Sequence, residues 1–386
     1  MKFENKTIVY GSNHHNTLGI IRSLGEKGLK PYLILVTKEK KPFIVKSKYI
    51  EKTFYTQNYE EGLDILINNF SQENNKSIIF CSNDKAAEVI DANYDHLKEY
   101  FYVQNAGKSN ALLPYFDKLE LCKKAKEWGF EVPLTYCIKR TDDIPKDIIY
   151  PCIVKPLKSI KGKKSDIRVC NSDNELKNTI VDLSNLCEDI LIQQYIEKEY
   201  EVSILGLSLQ NNIVLLPGMI RKLREYPVKR GSSSFARLED IPEELDIKPL
   251  YRAIKDVGYI GLFSIEFVKK DNKYYFLEIN FRNDGNGYVI TSAGMNQPYI
   301  FCLDVLGMWS PNDEINVKLP HYFMNDGSDL FHISDRNLSL SSWYKDYKRT
   351  NCFLRYNELD PAPTNGSKFS LRMILSCIKR MLKNRK

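Results

Sequence analysis

Short apolar runs alternate with amphipathic stretches through the first quarter of the chain. Residues 7–10 (TIVY) form an apolar run of strand length, GSNHHNTLG opens a helical pattern that extends to Gly28, and PYLILV supplies a second strand. The motif recurs at SIIFCSND, where Ser82, Asn83 and Asp84 are helix-capping candidates. To about residue 105 this spacing predicts a small doubly wound α/β domain. Asp117 is placed to cap a helix through LELCKKAKEW, and Gly129 to end it. Further on, YPCIVKP, IRVC and ILIQQYI read as strands, with a loop SIKGKKSD after the first and a helix near residues 173–186. EVSILGLSLQNNIVLLPGM alternates like a hairpin turning at Gln210–Asn212, and RKLREYPVKRGSSSFAR reads as a loop.

The stretch GLFSIEFVKKDNKYYFLEINFRND predicts a second hairpin, turning near Lys270–Asn272. Side chains alternate across a strand, so Phe263, Ile265 and Phe267 share one side and Ser264 and Glu266 the other. In the second strand the same rule sets Tyr275, Leu277, Ile279 and Phe281 against Phe276, Glu278, Asn280 and Arg282. With the apolar sides together, Glu266 and Glu278 emerge on one face, directly opposed if the turn has an odd number of residues, which is the expectation here. Two like charges facing each other destabilise a sheet unless something neutralises them. Solvated acids on an exposed face are one reading. The other is a cation site, because two carboxylates beside an amide oxygen are the hard-oxygen set that Mg2+ favours. Arg282 and the run Asn283–Gly287 favour the second, since a guanidinium followed by glycines is suited to holding phosphate.

Composition narrows the class. The chain has 386 residues, 43% hydrophobic and 27% charged, enough for two or three domains, and no apolar run of about 20 residues that a membrane span needs. MKFENKTIVYG lacks the features of a secretory signal, which favours a cytoplasmic protein. Nine cysteines without a CxxC pair and five histidines without ligand spacing argue against structural zinc and disulfides. The net charge of +7 is matched by seven basic residues, and no acidic ones, between Ser367 and Lys386. The body is therefore neutral, which argues against a nucleic-acid groove. Gly11 and Gly19 are not spaced as a dinucleotide fingerprint, and there is no GxSxG.

The ordered set FDKLELCKKAKEWGFEVPLT, YPCIVKP, IQQYIEKEYEVSILG, RKLREYPVKRGSS, GLFSIEF and LEINFRNDGNG resembles the ATP-grasp superfamily, in particular its carboxylate–amine ligases of the D-aspartate ligase type. The likeness spans roughly residues 5–308. It implies an ATP-grasp fold, α/β with an α+β C-terminal half, behind an N-terminal Rossmann-like domain. The boundaries expected are 1–110, 111–192 and 193–308, with a C-terminal extension over 309–386. By resemblance, Lys118 and Lys155 hold the ATP phosphates and Gly162 lies in the loop that folds over them. Gln193 and Gln194 take the hinge positions that recognise adenine, though the family's acidic residue is absent, with Ile196 near the base. Glu201 binds ribose, and Lys222 reaches the phosphates or an acyl phosphate. Glu266, Glu278 and Asn280 ligate Mg2+, with Mn2+ an alternative, and Arg282 steadies the acyl phosphate. Arg221, Arg230 and Gly231–Ser234 contact substrate. The implied reaction joins a carboxylate to an amine through an acyl phosphate, releasing ADP and phosphate. A nucleotide-binding module without turnover, or a carboxylase or thiol ligase on the same scaffold, are the other readings.

FSLRMILSCIKRMLKNRK places Leu371, Ile374, Leu375, Ile378, Met381 and Leu382 at helical spacing, with Arg372, Lys379, Lys383 and Arg385 mostly elsewhere round the wheel. It reads either as a helix docked on the body or as one attached to the inner, anionic face of a membrane. The second reading suits lipid-linked substrates and cell-wall or surface-polysaccharide synthesis. A homodimer is left open. Substrate choice is expected to depend on cleft residues such as His14, Asn83 and Asp84.

Overall fold

A computed structural model describes residues 3–139, 142–156, 168–184, 188–228, 231–311, 315–369 and 371–383. Its strands fall into three sheets. The first is parallel, in the order β3-β2-β1-β4-β5, with β1 Thr7–Ser12, β2 Tyr32–Val36, β3 Thr53–Thr56, β4 Ser77–Cys81 and β5 Phe101–Val103. The second is antiparallel, in the order β6-β9-β7-β8, with β6 Thr135–Lys139, β7 Cys152–Pro156, β8 Arg168–Cys170 and β9 Asp189–Gln194.

The third sheet comprises β10 Tyr200–Ser208, β11 Val214–Leu215, β12 Met219–Tyr226, β13 Ser232–Glu239, β14 Gly261–Lys270, β15 Lys273–Asn280, β16 His321–Met324 and β17 Cys352–Phe353. Its order is β15-β14-β10-β12-β13-β16-β17, with β11 paired to β10. One continuous core joins the first and third sheets: Val9, Leu35 and Phe80 pack with Leu205, Ile220 and Leu262, bridged by Leu18, Val289 and Phe301 from the helices His15–Gly25, Gly287–Ala293 and Gln297–Val305. A second core lies where the helices Lys118–Trp128 and Lys248–Val257 cover the third sheet, with Trp128, Phe130, Phe267 and Phe276 at its centre.

Local signals place several elements as expected. Asp117 accepts from the backbone N–H groups of Leu119 and Glu120, and Gly129 ends that helix with a left-handed backbone, φ 92°. Asn83 caps the helix Asp84–Ala92. The helix after β1 stops at Gly25, three residues short of the expected Gly28.

Two readings are corrected. RKLREYPVKRGSSSFAR is not a loop: it contributes β12 and β13, paired antiparallel with register shifts near Leu223 and Arg224. The β14–β15 turn holds two residues, an even number, because Asp271 adopts φ 51° and closes a tight turn opposing Lys270 to Lys273. A β-bulge supplies the missing odd residue: Phe267 opposes Phe276 but Glu266 opposes Glu278, so Leu277 is extra. Consequently Tyr275 and Leu277 do not share the core side with Ile279 and Phe281. Phe276 is 2% exposed, Leu277 39%, and Ile279 5%. Without the bulge Leu277 would oppose Glu266, and Glu278 would be driven toward the apolar side.

The C-terminal extension is built into the body. β16 and β17 extend the third sheet, and the fully buried Asp360 accepts from Arg22 Nε at 3.1 Å, Ser47 Oγ at 2.8 Å and the Lys48 backbone N–H at 3.0 Å.

Candidate active site

A cleft of about 910 Å³ runs between the first sheet's C-terminal edge, the second sheet and the polar face of the third. Its size is that of a small-molecule site. It brings together Lys118, Lys155, Gln193, Glu201, Lys222, Glu266, Glu278, Asn280 and Arg282 from seven elements and one loop. It does not bring in Gln194 and Ile196: adjacent strand residues point to opposite faces, and Gln194 lies with Leu134, Tyr136 and Ile192 on the far side of β9. Gly162 and Arg230 fall outside the described residues. Arg221 leaves the cleft and stacks on Tyr200, 3.8 Å from its ring centre, and Ser234 bonds Asp329 beneath the sheet.

The acidic wall is formed by β14 and β15. Burial, then the facing Glu278 charge, pushes Glu266 up to about 8. Asn280 lies at the end of the pair, its amide nitrogen 3.3 Å from Glu278 Oε1 and its oxygen accepting from Arg282 Nη2 at 3.2 Å. Among the described residues there is no cluster of three or more Asp, Glu, His or Cys side chains suited to a metal. Two carboxylates with an amide that can turn its oxygen toward them nonetheless fit a hard cation whose other ligands are phosphate and water oxygens. The raised proton affinity of Glu266 marks the missing positive charge.

The opposite wall is basic. Burial, then the charge of Lys118, lowers the Lys155 ammonium from its ordinary value. No ion pair of either lysine with a carboxylate is seen among the described side chains. Between the walls, Lys198 Nζ donates to Glu201 at 2.6 Å and Glu225 at 2.9 Å, and Lys222 pairs with Glu201 and with Glu225 at 3.6 Å. Burial alone would raise Glu201, but the Lys222 and Lys198 ammoniums more than offset it and hold its carboxyl below the usual range. Gln193 donates through Nε2 to Thr135 Oγ1 at 2.9 Å, leaving its carbonyl oxygen free of that bond.

At the other end, Arg282 donates through Nε to Asp84 at 2.5 Å. The rings of His14 and His15 lie 3.8 Å apart between centres, tilted by 38°, beside Gly285. Burial, then the Arg282 charge, lowers His14; burial, then His14, lowers His15 to about 3. His14, Asn83 and Asp84 thus all reach the cleft. Gly231, Ser232 and Ser233 of the expected Gly231–Ser234 run line the cleft. Glu225, which lines it, and Lys198, which bonds Glu201 and Glu225, escaped notice in the sequence, and the alternation in RKLREY was the signal that could have revealed a strand at Glu225.

Residues 115–286 match the family model described as an ATP-grasp domain. The chain carries an ATP-grasp domain. Its relatives include a formate-dependent phosphoribosylglycinamide formyltransferase of Sulfurisphaera tokodaii, 26% identical over 64% of this chain and 65% of that enzyme. A D-alanine–D-alanine ligase of Thermotoga sp. strain RQ2 is 30% identical over 34% of this chain and 45% of the ligase. The match therefore spans less than two thirds of each curated relative. The fold also resembles the biotin carboxylase domain of Hydrogenobacter thermophilus 2-oxoglutarate carboxylase, a dimer solved with MgADP and bicarbonate: TM-score 0.62, 17% identity, 82% of this chain and 73% of that domain. Ahead of this domain, the first sheet is parallel in the Rossmann manner.

Proposed function

We propose that this ATP-grasp chain is an ADP-forming ligase that joins a carboxylate to an amine through an acyl phosphate, using ATP with Mg2+. The observation that carries the reading is the charge layout of the cleft: two facing carboxylates on one wall and, on the other, a lysine pair without a carboxylate partner among the described side chains. A polyphosphate bridged by a divalent cation supplies both missing charges at once. Lys118 and Lys155 then bind the phosphates, Glu201 meets ribose hydroxyls, and the Gln193 carbonyl accepts from the adenine amine. Glu266, Glu278 and Asn280 would hold Mg2+, whose charge would offset the repulsion between nucleotide phosphates and an incoming carboxylate. Lys222 and Arg282 hold the developing acyl phosphate, which requires Arg282 to exchange Asp84 for it.

The names of the two relatives also support the amide reading, one enzyme being formate-dependent and the other a D-alanine–D-alanine ligase. Acceptors presented on a lipid-linked precursor, as in cell-wall or surface-polysaccharide synthesis, accord with the exposed apolar side of the terminal helix Leu371–Lys383. The test is ADP release measured over a panel of carboxylates paired with amines, with the product identified by mass. Substrate-stimulated ADP release with an amide product supports the reading. Nucleotide binding without stimulated hydrolysis refutes it in favour of a binding module, and a thioester or carboxylated product refutes the amine as acceptor.

A further inference from the structure

The helix Leu371–Lys383 docks on the body by one side only. Cys377 is 7% exposed, and Arg380 reaches Asp335 at 3.3 Å, lies 4.3 Å over the Phe331 ring and contacts the Tyr226 hydroxyl. The apolar residues that the amphipathic pattern would bury instead face outward: Ile374 is 41% exposed, Leu375 49%, Ile378 46% and Met381 38%. Their i, i+1, i+4, i+7 spacing gathers them into one stripe. Exposed Lys379 adjoins it. Among the other described residues the large exposed apolar side chains are mostly isolated, which is ordinary, whereas a contiguous stripe marks an interaction surface.

We propose that this stripe is an anionic-membrane docking surface, the helix lying flat with Ile374, Leu375, Ile378 and Met381 in the headgroup–acyl boundary. Charge chooses the occupant. Residues 367–386 hold seven basic side chains and no acidic one, so a second copy meeting this face would bring like charges together. Four half-exposed side chains also cover only a few hundred Å², against the roughly 800 Å² per partner of a stable protein interface. A bilayer with acidic headgroups satisfies both observations, since the stripe inserts and the basic residues meet lipid phosphates. Among the described residues no helix is long and apolar enough to cross a membrane, so attachment is peripheral. Arg380 braces the helix against Tyr226, the last residue of β12, whose Lys222 and Glu225 line the cleft. A docked membrane would therefore lie next to the strand that handles substrate.

The test is sedimentation of the full chain with vesicles of phosphatidylcholine alone or with about one third phosphatidylglycerol, at low and high salt. Binding should require phosphatidylglycerol and weaken with salt. Lys379→Gln should weaken it about fivefold, and Leu375→Glu with Ile378→Glu should abolish it while leaving circular dichroism unchanged. Equal sedimentation with and without phosphatidylglycerol, or unchanged binding by the double variant, overturns the proposal. So does a dimer in lipid-free buffer that the double variant converts to monomer. Binding is read without nucleotide, so its failure leaves the ligase reading standing, and loss of ADP release leaves this one standing.

Discussion

Replacing Glu266 by glutamine should make the empty protein more stable and the enzyme inactive. Glu266 is raised from 4.5 to about 8 by burial and by Glu278 opposite. At pH 7 the native carboxyl therefore keeps a proton that the unfolded chain has released. At about 1.4 kcal/mol per pH unit this costs on the order of 3 kcal/mol, and solvent reaching the half-buried group trims the cost to about 1–3 kcal/mol. Glutamine keeps the shape and removes the cost. Its advantage has a defined pH course. Below about pH 4.5 wild-type Glu266 is protonated in both states and the two proteins should match. As pH rises toward 8 the native carboxyl loses stability relative to the unfolded one, so the gap should widen and then level off. Saturating Mg2+ and nucleotide should reverse the order, because ligand at about 100 times its Kd adds about 2.7 kcal/mol to a protein that binds it. Thermal denaturation of both proteins from pH 4.5 to 8.5, with and without Mg·ADP, reads all of this, alongside ADP release. A glutamine variant that is less stable when empty, or one that retains turnover, would refute the cation-site argument.

Lys155→Met should raise the ATP Kd about 10- to 100-fold and flatten its salt dependence, since it removes half of an unneutralised lysine pair; isothermal titration at two salt concentrations measures both. Lys222→Met should lower kcat about 100-fold or more, with a smaller change in the KM for ATP, if its ammonium stabilises charge that develops during transfer. An equal loss in binding and turnover would instead make it a general phosphate contact. Asp360→Ala should destabilise the chain by about 3–5 kcal/mol by leaving Arg22 buried and unpaired, and denaturant unfolding would show it as a lower midpoint.

Legibility in the sequence followed the range of the interaction. Asp117 and Gly129 act on neighbours within one helical turn, so their roles could be read locally. The face shared by Glu266 and Glu278 was legible from alternation, but the reason was not. The expected odd turn fails at Asp271, and the bulge at Leu277 produces the same opposition by another route. β12 was misread because its polar residues have partners far along the chain: Arg224 meets Asp329 and Asp346, and Lys222 meets Glu201. A strand whose faces contact a cleft and a salt-bridge network carries charge on both sides and resembles a loop. The extension was opaque for the same reason, since Arg22 and Asp360 are 338 positions apart.

The bulge also explains how one hairpin serves two incompatible demands. Near the turn, Tyr274 and Phe276 must enter the core beside Phe130 and Phe267, whereas four residues later the cleft needs Glu278 and Asn280 on its own side. Strict alternation from Phe276 would send Glu278 into the core with it. The extra residue resets the phase once, so Phe276 and Ile279 are both buried while Leu277 and Glu278 both line the cleft. The local disruption falls where the ladder must also bear two facing carboxylates, and bulges are frequent beside active sites for this kind of re-aiming. A regular hairpin of this sequence could bury its aromatics or present its acid pair, but not both.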